Sequence, residues 1–163
     1  MGQLSSVAIR RASDDDLPEM ARVESSAKSV ISEFWLASAS SRYTGAAVFT
    51  YLSEDVRPFG FVTSGSPVEE YFRDHQTGEI LGLYVHPEYQ GFGYGKKLLV
   101  HGLSVLKRRG FESAIIWIPE ISQSAIAVSS LLNFEKLDGV YMTDNQAGGV
   151  GFECYKLDLT AYF

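Results

Sequence analysis

Apolar residues recur at helical spacing in two segments of the chain, and each segment predicts an amphipathic helix. The first segment, "SDDDLPEMARVESSAKSVI", has an apolar stripe made of Leu17, Met20, Ala21, Ala27 and Val30. The second, "GKKLLVHGLSVLKRR" (95–109), has a stripe made of Leu98, Leu99, Gly102, Val105 and Leu106. Ser13 is predicted to cap the first helix, with three aspartates favourable at its positive end. Gly110 is predicted to end the second helix.

Short apolar or alternating runs bounded by turn residues predict seven strands. The predicted strands are 7–11, 46–52, 59–64, 79–86, 113–118, 134–143 and 150–157. Residues 32–45 are ambiguous between a second helix and a loop, and a further helix is predicted at about 122–132. With that second helix counted, the order β-α-α-β-β-β-α-β-α-β-β predicts an α/β (α+β) domain. Its central sheet is mixed, mostly antiparallel and flanked by helices.

Composition narrows the class of protein further. A length of 163 residues predicts a single domain spanning 1–163, and 45% apolar with 21% charged residues is typical of a soluble globular protein. No apolar run approaches a membrane span, and the net charge of −6 argues against a nucleic-acid partner. The one cysteine, Cys154, excludes an internal disulfide and favours a cytoplasmic location. A homodimer is plausible on frequency alone.

Candidate chemistry lies in "YVHPEYQGFGYGKKLL" (84–99), where glycine occurs at 91, 93 and 95. Glycine at every second position suits neither a strand nor a helix. Pro87 is predicted to end the preceding strand, so the glycines lie in the turn that enters the next helix. Backbone N–H groups there lack intrahelical acceptors, and the absence of side chains lets an anion approach them. Lys96 and Lys97 fit an anion in the same place. The alternative is a flexible turn followed by solvated lysines.

Two standard nucleotide motifs fail at this loop. A Walker loop requires Ser or Thr after the lysine, and the dinucleotide fingerprint requires glycine at 96, which is lysine. The pattern Q-x-x-G-x-G does fit, with Gln90, Gly93 and Gly95. It resembles the pyrophosphate loop of the GCN5-related N-acetyltransferase superfamily (GNAT). The resemblance is strong over about 79–110. It extends by element order to "IRRASDDDLPEMARVE" and to the last two strands.

The resemblance implies acetyl-CoA as co-substrate and direct attack by a primary amine, of a small molecule or a protein, in a ternary complex. It assigns the pyrophosphate to backbone amides of the loop residues Gln90, Gly91, Phe92, Gly93, Tyr94, Gly95 and Lys96. It places the pantetheine arm along Leu83 and Val85, with the Leu83 N–H polarising the thioester carbonyl. Glu79 matches the position of a general base, and strand alternation predicts residues 79, 81, 83 and 85 on one face. The alternative for Glu79 is a solvated residue at the strand end.

The next helix departs from the family pattern N-x-x-A-x-x-x-Y. This chain has "SQSAIAVS", with Ser122 at the cofactor-contacting position and Ser129 where a tyrosine acid is expected. A serine is a much weaker acid than tyrosine, whose pKa is about 10. The general acid is therefore open among Ser129 with a held water, Tyr141 and Tyr155. This departure also favours a rival function, a non-catalytic acyl-CoA-binding or regulatory domain. No histidine has metal-ligand spacing, so no metal is expected.

Overall fold

The computed structural model describes residues 7–27, 48–67, 72, 74, 76–120, 132–144 and 150–161. Its helices and strands, in chain order, are β1 (Ala8–Arg11), α1 (Leu17–Ala27), β2 (Val48–Glu54), β3 (Pro58–Gly65), β4 (Thr77–Val85), α2 (Tyr94–Arg108), β5 (Ser113–Pro119), β6 (Glu135–Asp144) and β7 (Val150–Asp158). Short 3-10 turns precede α1 and follow β4. The seven predicted strands and the two periodic helices are confirmed. The segments 32–45 and 122–131 lie outside the described residues.

The strands form one seven-stranded sheet in the order β1-β2-β3-β4-β5-β7-β6. Every neighbouring pair is antiparallel except β4 and β5, which are parallel. The prediction of a mixed, mostly antiparallel sheet is therefore confirmed. A parallel pair needs a crossover connection, and α2 lies within the connection between β4 and β5. No helix in the described part of the chain is long and apolar enough to cross a membrane.

Helix α2 packs closely on one side of the sheet, which we call the α2 face. Its predicted stripe is buried together with Leu103. A Cβ atom at Gly102 would lie 2.8 Å from Val62 Cγ2 and 3.1 Å from Ile80 Cδ1, so glycine permits the close approach of helix and sheet. The helix ends at Arg108, and Gly110, with a φ of 95°, follows just after it as the predicted terminator. Phe111 N–H then donates to Leu106 O at 3.1 Å, and this bond satisfies a carbonyl of the last turn.

Helix α1 packs on the opposite side, the α1 face, where Met20 and Val23 contact Leu52 and Phe61. Ser13 is the N-cap of the 3-10 turn (Asp14–Asp16) that leads into α1, and its N–H donates to Asp16 Oδ2 at 2.8 Å. Asp16 also accepts two hydrogen bonds from the Arg10 guanidinium, at 2.8 and 2.9 Å. These bonds hold the pKa of Asp16 down at about 2. Capping and ion pairing therefore explain the role of Asp16, the buried residue of the three consecutive aspartates.

The predicted apolar stripe of α1 is only partly right. Ala21 is exposed, whereas Val23 and Glu24 are buried beside Met20. Alanine is small enough to fit either side of a helix, so its position gave a false indication of the buried face. Val30 and the side chain of Ala27 fall outside the described part of the chain.

Candidate active site

The glycine loop (residues 90–96) is held against the end of β4 by side-chain and backbone hydrogen bonds. The Gln90 Nε2 donates to Val85 O at 2.8 Å, and the Gln90 N–H donates to Pro87 O at 3.3 Å. His86 Nδ1 accepts from the Glu88 N–H at 3.2 Å, which caps the intervening turn. The glutamine of the Q-x-x-G-x-G pattern therefore braces the loop on the strand that precedes it.

Three aromatic rings support the glycine loop from below. Phe59 stacks on Tyr89 with ring centroids 4.0 Å apart and meets the edge of Tyr94 at 4.7 Å. Tyr94 is only 6% exposed, so its ring belongs to the core and its backbone alone faces the loop. Phe92, by contrast, is 62% exposed. Of the two aromatic residues that alternate with the glycines, Tyr94 thus packs in the core beneath the loop and Phe92 faces solvent.

The three loop glycines differ in backbone conformation and in the space around them. Gly91 and Gly93 have φ of 85° and 89°, a left-handed conformation that L side chains rarely adopt. Gly95 has no positive φ, and a Cβ there would meet only Val85 Cγ2, at 3.9 Å. A Cβ at 91 or 93 would have nothing within 4 Å. Neither backbone strain nor packing therefore requires glycine at 95.

Backbone N–H groups at the start of α2 converge on this open space. The Lys97 N–H donates to Gly93 O at 3.1 Å. In the described residues no acceptor is found for the N–H groups of residues 91–96. Lys96 and Lys97 are exposed, and the first turn of α2 contains no acidic residue. Amides without acceptors, a helix N-terminus and two cations are features that favour an anion.

Within the described residues, the strand that leads into the loop has no partner strand on one side beyond Ile80. The ladder between β4 and β5 pairs Thr77–Ile80 with Ser113–Ile116 and goes no further within these fully described strands. The His86 N–H donates to Phe59 O of β3 at 2.7 Å. Alternate residues of a strand direct their N–H groups to the same side, so those of Leu83 and Val85 point away from β3. We call this side of Leu83 and Val85 the β4 edge.

The expectation that residues 79, 81, 83 and 85 share one face is wrong. The register on β3 pairs Thr63 with Gly82 but Ser64 with Ile80, so Leu81 is an extra residue in a β-bulge. The bulge reverses the alternation, and Glu79 lies on the α1 face while Leu83 and Val85 lie on the α2 face. Its effect could not be read from the sequence, because nothing local distinguishes a bulged leucine from a regular one.

Glu79 is buried inside the sheet and is not a solvated residue at a strand end. Strand β4 begins at Thr77, and Glu79 is 2% exposed. Cys154 lies close enough for the Glu79 charge to affect it. Burial first, and the Glu79 charge second, raise the pKa of the Cys154 thiol to about 12. Such a thiol stays protonated at neutral pH, as expected of a buried apolar residue and not of a nucleophile.

The structure brings together only some of the residues considered for proton transfer. Ser122 and Ser129 lie outside the described residues, as does the side chain of Tyr141. Tyr155 packs against the core on the α2 face, opposite Ile116. Glu79 lies on the other face, so the plane of the sheet separates it from Tyr155. In the described ranges no group of three or more His, Cys, Asp or Glu is arranged to hold a metal ion.

A cleft of about 750 Å³ lies at the opposite end of the sheet from the glycine loop. It is lined by the first residues of β4 and β5, among them Thr77 and Ser113. The Thr77 Oγ1 lies 3.2 Å from Asp74 Oδ2 and 3.2 Å from Ser113 Oγ, so these polar groups satisfy one another. The cleft is separate from the β4 edge and from the glycine loop.

Comparison of the chain with known proteins identifies its family. The model of the acetyltransferase (GNAT) family matches residues 9–134. The chain belongs to the GNAT family. It is 37% identical over 67 residues to a mycothiol acetyltransferase of Saccharomonospora viridis. The matched region is 41% of this chain and 22% of that protein. The chain is 33% identical over 79 residues to the uncharacterized N-acetyltransferase YuaI of Bacillus subtilis, covering 48% of this chain and 44% of that protein. The chain thus spans less than half of either curated relative.

Solved structures share the GNAT fold across nearly the whole chain. The ribosomal-protein-S18-alanine N-acetyltransferase from Escherichia coli superposes with a TM-score of 0.74 at 20% identity, covering 94% of both chains. YncA from Salmonella typhimurium, a putative acetyltransferase solved with acetyl-CoA, superposes with a TM-score of 0.73 at 21% identity, also covering 94% of both. At this identity the likeness concerns the fold, and the chemistry has to be argued from the residues of this chain.

Proposed function

We propose that this GNAT protein is an acetyl-CoA-dependent N-acetyltransferase that transfers an acetyl group directly to a primary amine. The observation that carries the proposal is the glycine loop, whose free amides and adjacent lysines suit a diphosphate. It lies directly beyond the open β4 edge. A diphosphate attached to an extended pantetheine arm matches this sequence of features. Membership in the GNAT family supports the same assignment.

In the proposed complex, the backbone amides from Gln90 to Lys96 bind the pyrophosphate of acetyl-CoA. The pantetheine arm pairs with Leu83 and Val85 along the β4 edge, as an added strand would. The N–H of Leu83 donates to the thioester carbonyl oxygen and stabilises the negative charge that develops there. Ser122 is proposed to add a cofactor contact, and Ser129 is a candidate for holding the water that protonates the sulfur.

The acceptor amine approaches from the α1 face, where Glu79 lies. Glu79 takes a proton from the ammonium through a water, and the neutral nitrogen attacks the carbonyl carbon. The carbon–sulfur bond then breaks, and the thiolate of coenzyme A accepts a proton. The bulge at Leu81 has a clear consequence in this scheme. It puts the base on the face opposite the cofactor helix α2, so acceptor and cofactor reach the reacting atoms from different sides.

The direct test mixes the purified protein with acetyl-CoA and a panel of primary amines and follows thiol release. Turnover with at least one amine is expected. In Glu79→Gln, kcat should fall by about a hundredfold or more, with unchanged affinity for acetyl-CoA, because a proton acceptor is lost but no cofactor contact. A matched control is Glu54→Gln, which removes a carboxylate paired with Arg10 at 2.7 Å on β2, a strand that is separated from β4 by β3.

The rival function is an acyl-CoA-binding or regulatory domain without turnover, and the serine at 129 is the feature that favours it. Calorimetric binding of CoA with no amine-dependent thiol release would establish the rival and exclude the enzyme. A Glu79→Gln variant with the turnover of the unaltered protein would exclude Glu79 as the base while leaving the transferase in place.

A further inference from the structure

Phe92 exposes an aromatic ring in the middle of the glycine loop. Its side chain is 62% exposed, and among the described residues Val56 is the one other large hydrophobic side chain that is exposed. The neighbouring aromatic rings are packed, because Tyr89 stacks on Phe59 at 4.0 Å and Tyr94 is 6% exposed. The Phe92 ring is tilted by 46° against that of Tyr94, with the centroids 6.4 Å apart. Most of the Phe92 ring is therefore accessible to a ligand.

A single exposed apolar residue is common on protein surfaces, so the meaning of Phe92 depends on its position. Gly91 and Gly93 lie on either side of it, and a Cβ at either of them would have nothing within 4 Å. The ring thus has no side chain beside it along the chain and open space around its backbone. The Phe92 N–H is also one of the loop amides for which no acceptor is found in the described residues. The ring therefore adjoins the amides that are proposed to bind the diphosphate.

The diphosphate of coenzyme A joins two different arms, and the inference rests on the proposed binding of this co-substrate. The pantetheine arm is proposed to run from the diphosphate along Leu83 and Val85. The adenosine is attached to the other phosphate, so it leaves the loop on the side away from β4. Gln90 Nε2 ties the loop to Val85 O at 2.8 Å, and residues 91–93, further along the chain, are exposed. Phe92 lies in this outer part of the loop, where the adenosine emerges.

The adenine base and the phenyl ring are chemically suited to each other. Both are flat, and an aromatic side chain stacks favourably on the face of a base. Tyr89 and Tyr94 are packed against Phe59 and have no such exposed ring to offer. The exposed ring of Phe92 is the one that the loop presents to the base.

We propose that Phe92 stacks on the adenine of coenzyme A. Phe92 is then a specificity-determining residue, because it binds the part of the co-substrate that takes no part in acetyl transfer. It favours thioesters of free coenzyme A over thioesters of the same pantetheine arm without a nucleotide. The chemical step does not involve it.

The test compares coenzyme A with two of its fragments. Adenosine 3′,5′-bisphosphate carries the base without the pantetheine arm, and phosphopantetheine carries the arm without the adenosine. In Phe92→Ala the Kd values of coenzyme A and of adenosine bisphosphate should rise by about fivefold to a hundredfold, the usual effect of removing an aromatic ring that stacks on a base. The Kd of phosphopantetheine should stay within about twofold of its value for the unaltered protein. Calorimetry measures the Kd of coenzyme A, and competition against coenzyme A measures those of the fragments.

Three further variants separate stacking from a general loss of apolar surface. Phe92→Leu keeps an apolar side chain without a flat ring, so it should weaken coenzyme A binding as Phe92→Ala does. Phe92→Trp should restore the affinity, and its added fluorescence should be quenched by coenzyme A but not by phosphopantetheine. The matched control is Val56→Ala, between β2 and β3, which removes the other exposed hydrophobic side chain and should leave all three Kd values unchanged.

Each remaining outcome counts against the assignment. Unchanged affinity for coenzyme A in Phe92→Ala overturns the stacking and leaves the proposed transferase in place. Equal weakening of coenzyme A and phosphopantetheine also overturns it, because the lost contact would then be to the part that they share. Full affinity in Phe92→Leu would show that no flat ring is needed. If the unaltered protein does not bind coenzyme A at all, the proposed function fails, and the role of Phe92 fails with it.

Discussion

Replacing Gly95 by alanine separates ligand binding from folding at the glycine loop. The backbone of Gly95 is helical and a Cβ there would meet only Val85 Cγ2, at 3.9 Å. The folded protein therefore has room for the methyl group. Alanine is favoured over glycine in helices by up to about 1 kcal/mol, and somewhat less in the first turn. We expect the free energy of unfolding to stay constant or to rise by about 0.5 kcal/mol.

If the diphosphate lies against the amides of this turn, as proposed, the same methyl group would occupy part of the space that the ligand needs. Hydrogen bonds from amides to a charged phosphate oxygen contribute about 1.5–3 kcal/mol each. Displacing the diphosphate enough to lose one such bond should raise the Kd for coenzyme A by about tenfold to a hundredfold. Isothermal calorimetry measures the Kd, and thermal unfolding measures stability on the same samples. A more stable protein with weaker binding is the expected combination.

Gly110→Ala is the matched control at the other end of α2. Gly110 has a φ of 95°, so alanine there is strained and should destabilise the protein by about 1 kcal/mol, while the affinity for coenzyme A stays unchanged. If Gly95→Ala binds coenzyme A as tightly as the unaltered protein, the amides of the glycine loop do not hold the diphosphate. The assignment of this loop would then be wrong.

Three further predictions concern the scaffold. The ion pair with Arg10 lowers the pKa of Asp16 to about 2. The pair therefore stabilises the folded protein fully at a pH above the ordinary pKa of aspartate, and this stabilisation is lost as the pH falls toward 2. Arg10 is 42% exposed, so solvent screening limits this contribution to the free energy of unfolding to about 1–2 kcal/mol. In Asp16→Asn this loss of stability at low pH should be absent. An acid unfolding profile identical to that of the unaltered protein would contradict the prediction. The thiol of Cys154, 0% exposed with a pKa of about 12, should resist thiol reagents at neutral pH until the protein unfolds; rapid labelling of the native state would show otherwise. Gly102→Ala should lower the free energy of unfolding by about 1–3 kcal/mol, because its Cβ would lie 2.8 Å from Val62 Cγ2, and a neutral result in chemical denaturation would mean that the helix can shift.

Features that depend on short stretches of sequence could be predicted. Ser13 lies just before the turn that leads into α1, Gly110 lies just after α2, and Pro87 lies just after β4. These positions could be predicted because capping and proline geometry act within a few residues. The glycine loop belongs to the same group. Its conformation at Gly91 and Gly93 is a local backbone property, and its pattern resembles one family.

Features that depend on distant residues could not be predicted in the same way. The sequence predicts Ala21 on the buried side of α1, but the residues buried there are Val23 and Glu24. The burial of Glu24 had no sequence signal, since a glutamate in an amphipathic helix normally faces solvent. The support of the glycine loop by the ring of Phe59 joins two segments that are far apart in the chain.

By itself the sequence determined the two described helices, the seven strands, and the loop that is proposed to bind the diphosphate. Periodicity, capping and glycine geometry are properties of neighbouring residues, so they can be read along the chain. Only the tertiary structure decided which face Glu79 occupies, because the extra residue at Leu81 is defined by its pairing with β3. The open β4 edge was likewise decided by where the ladder to β5 stops, which is a contact between distant segments.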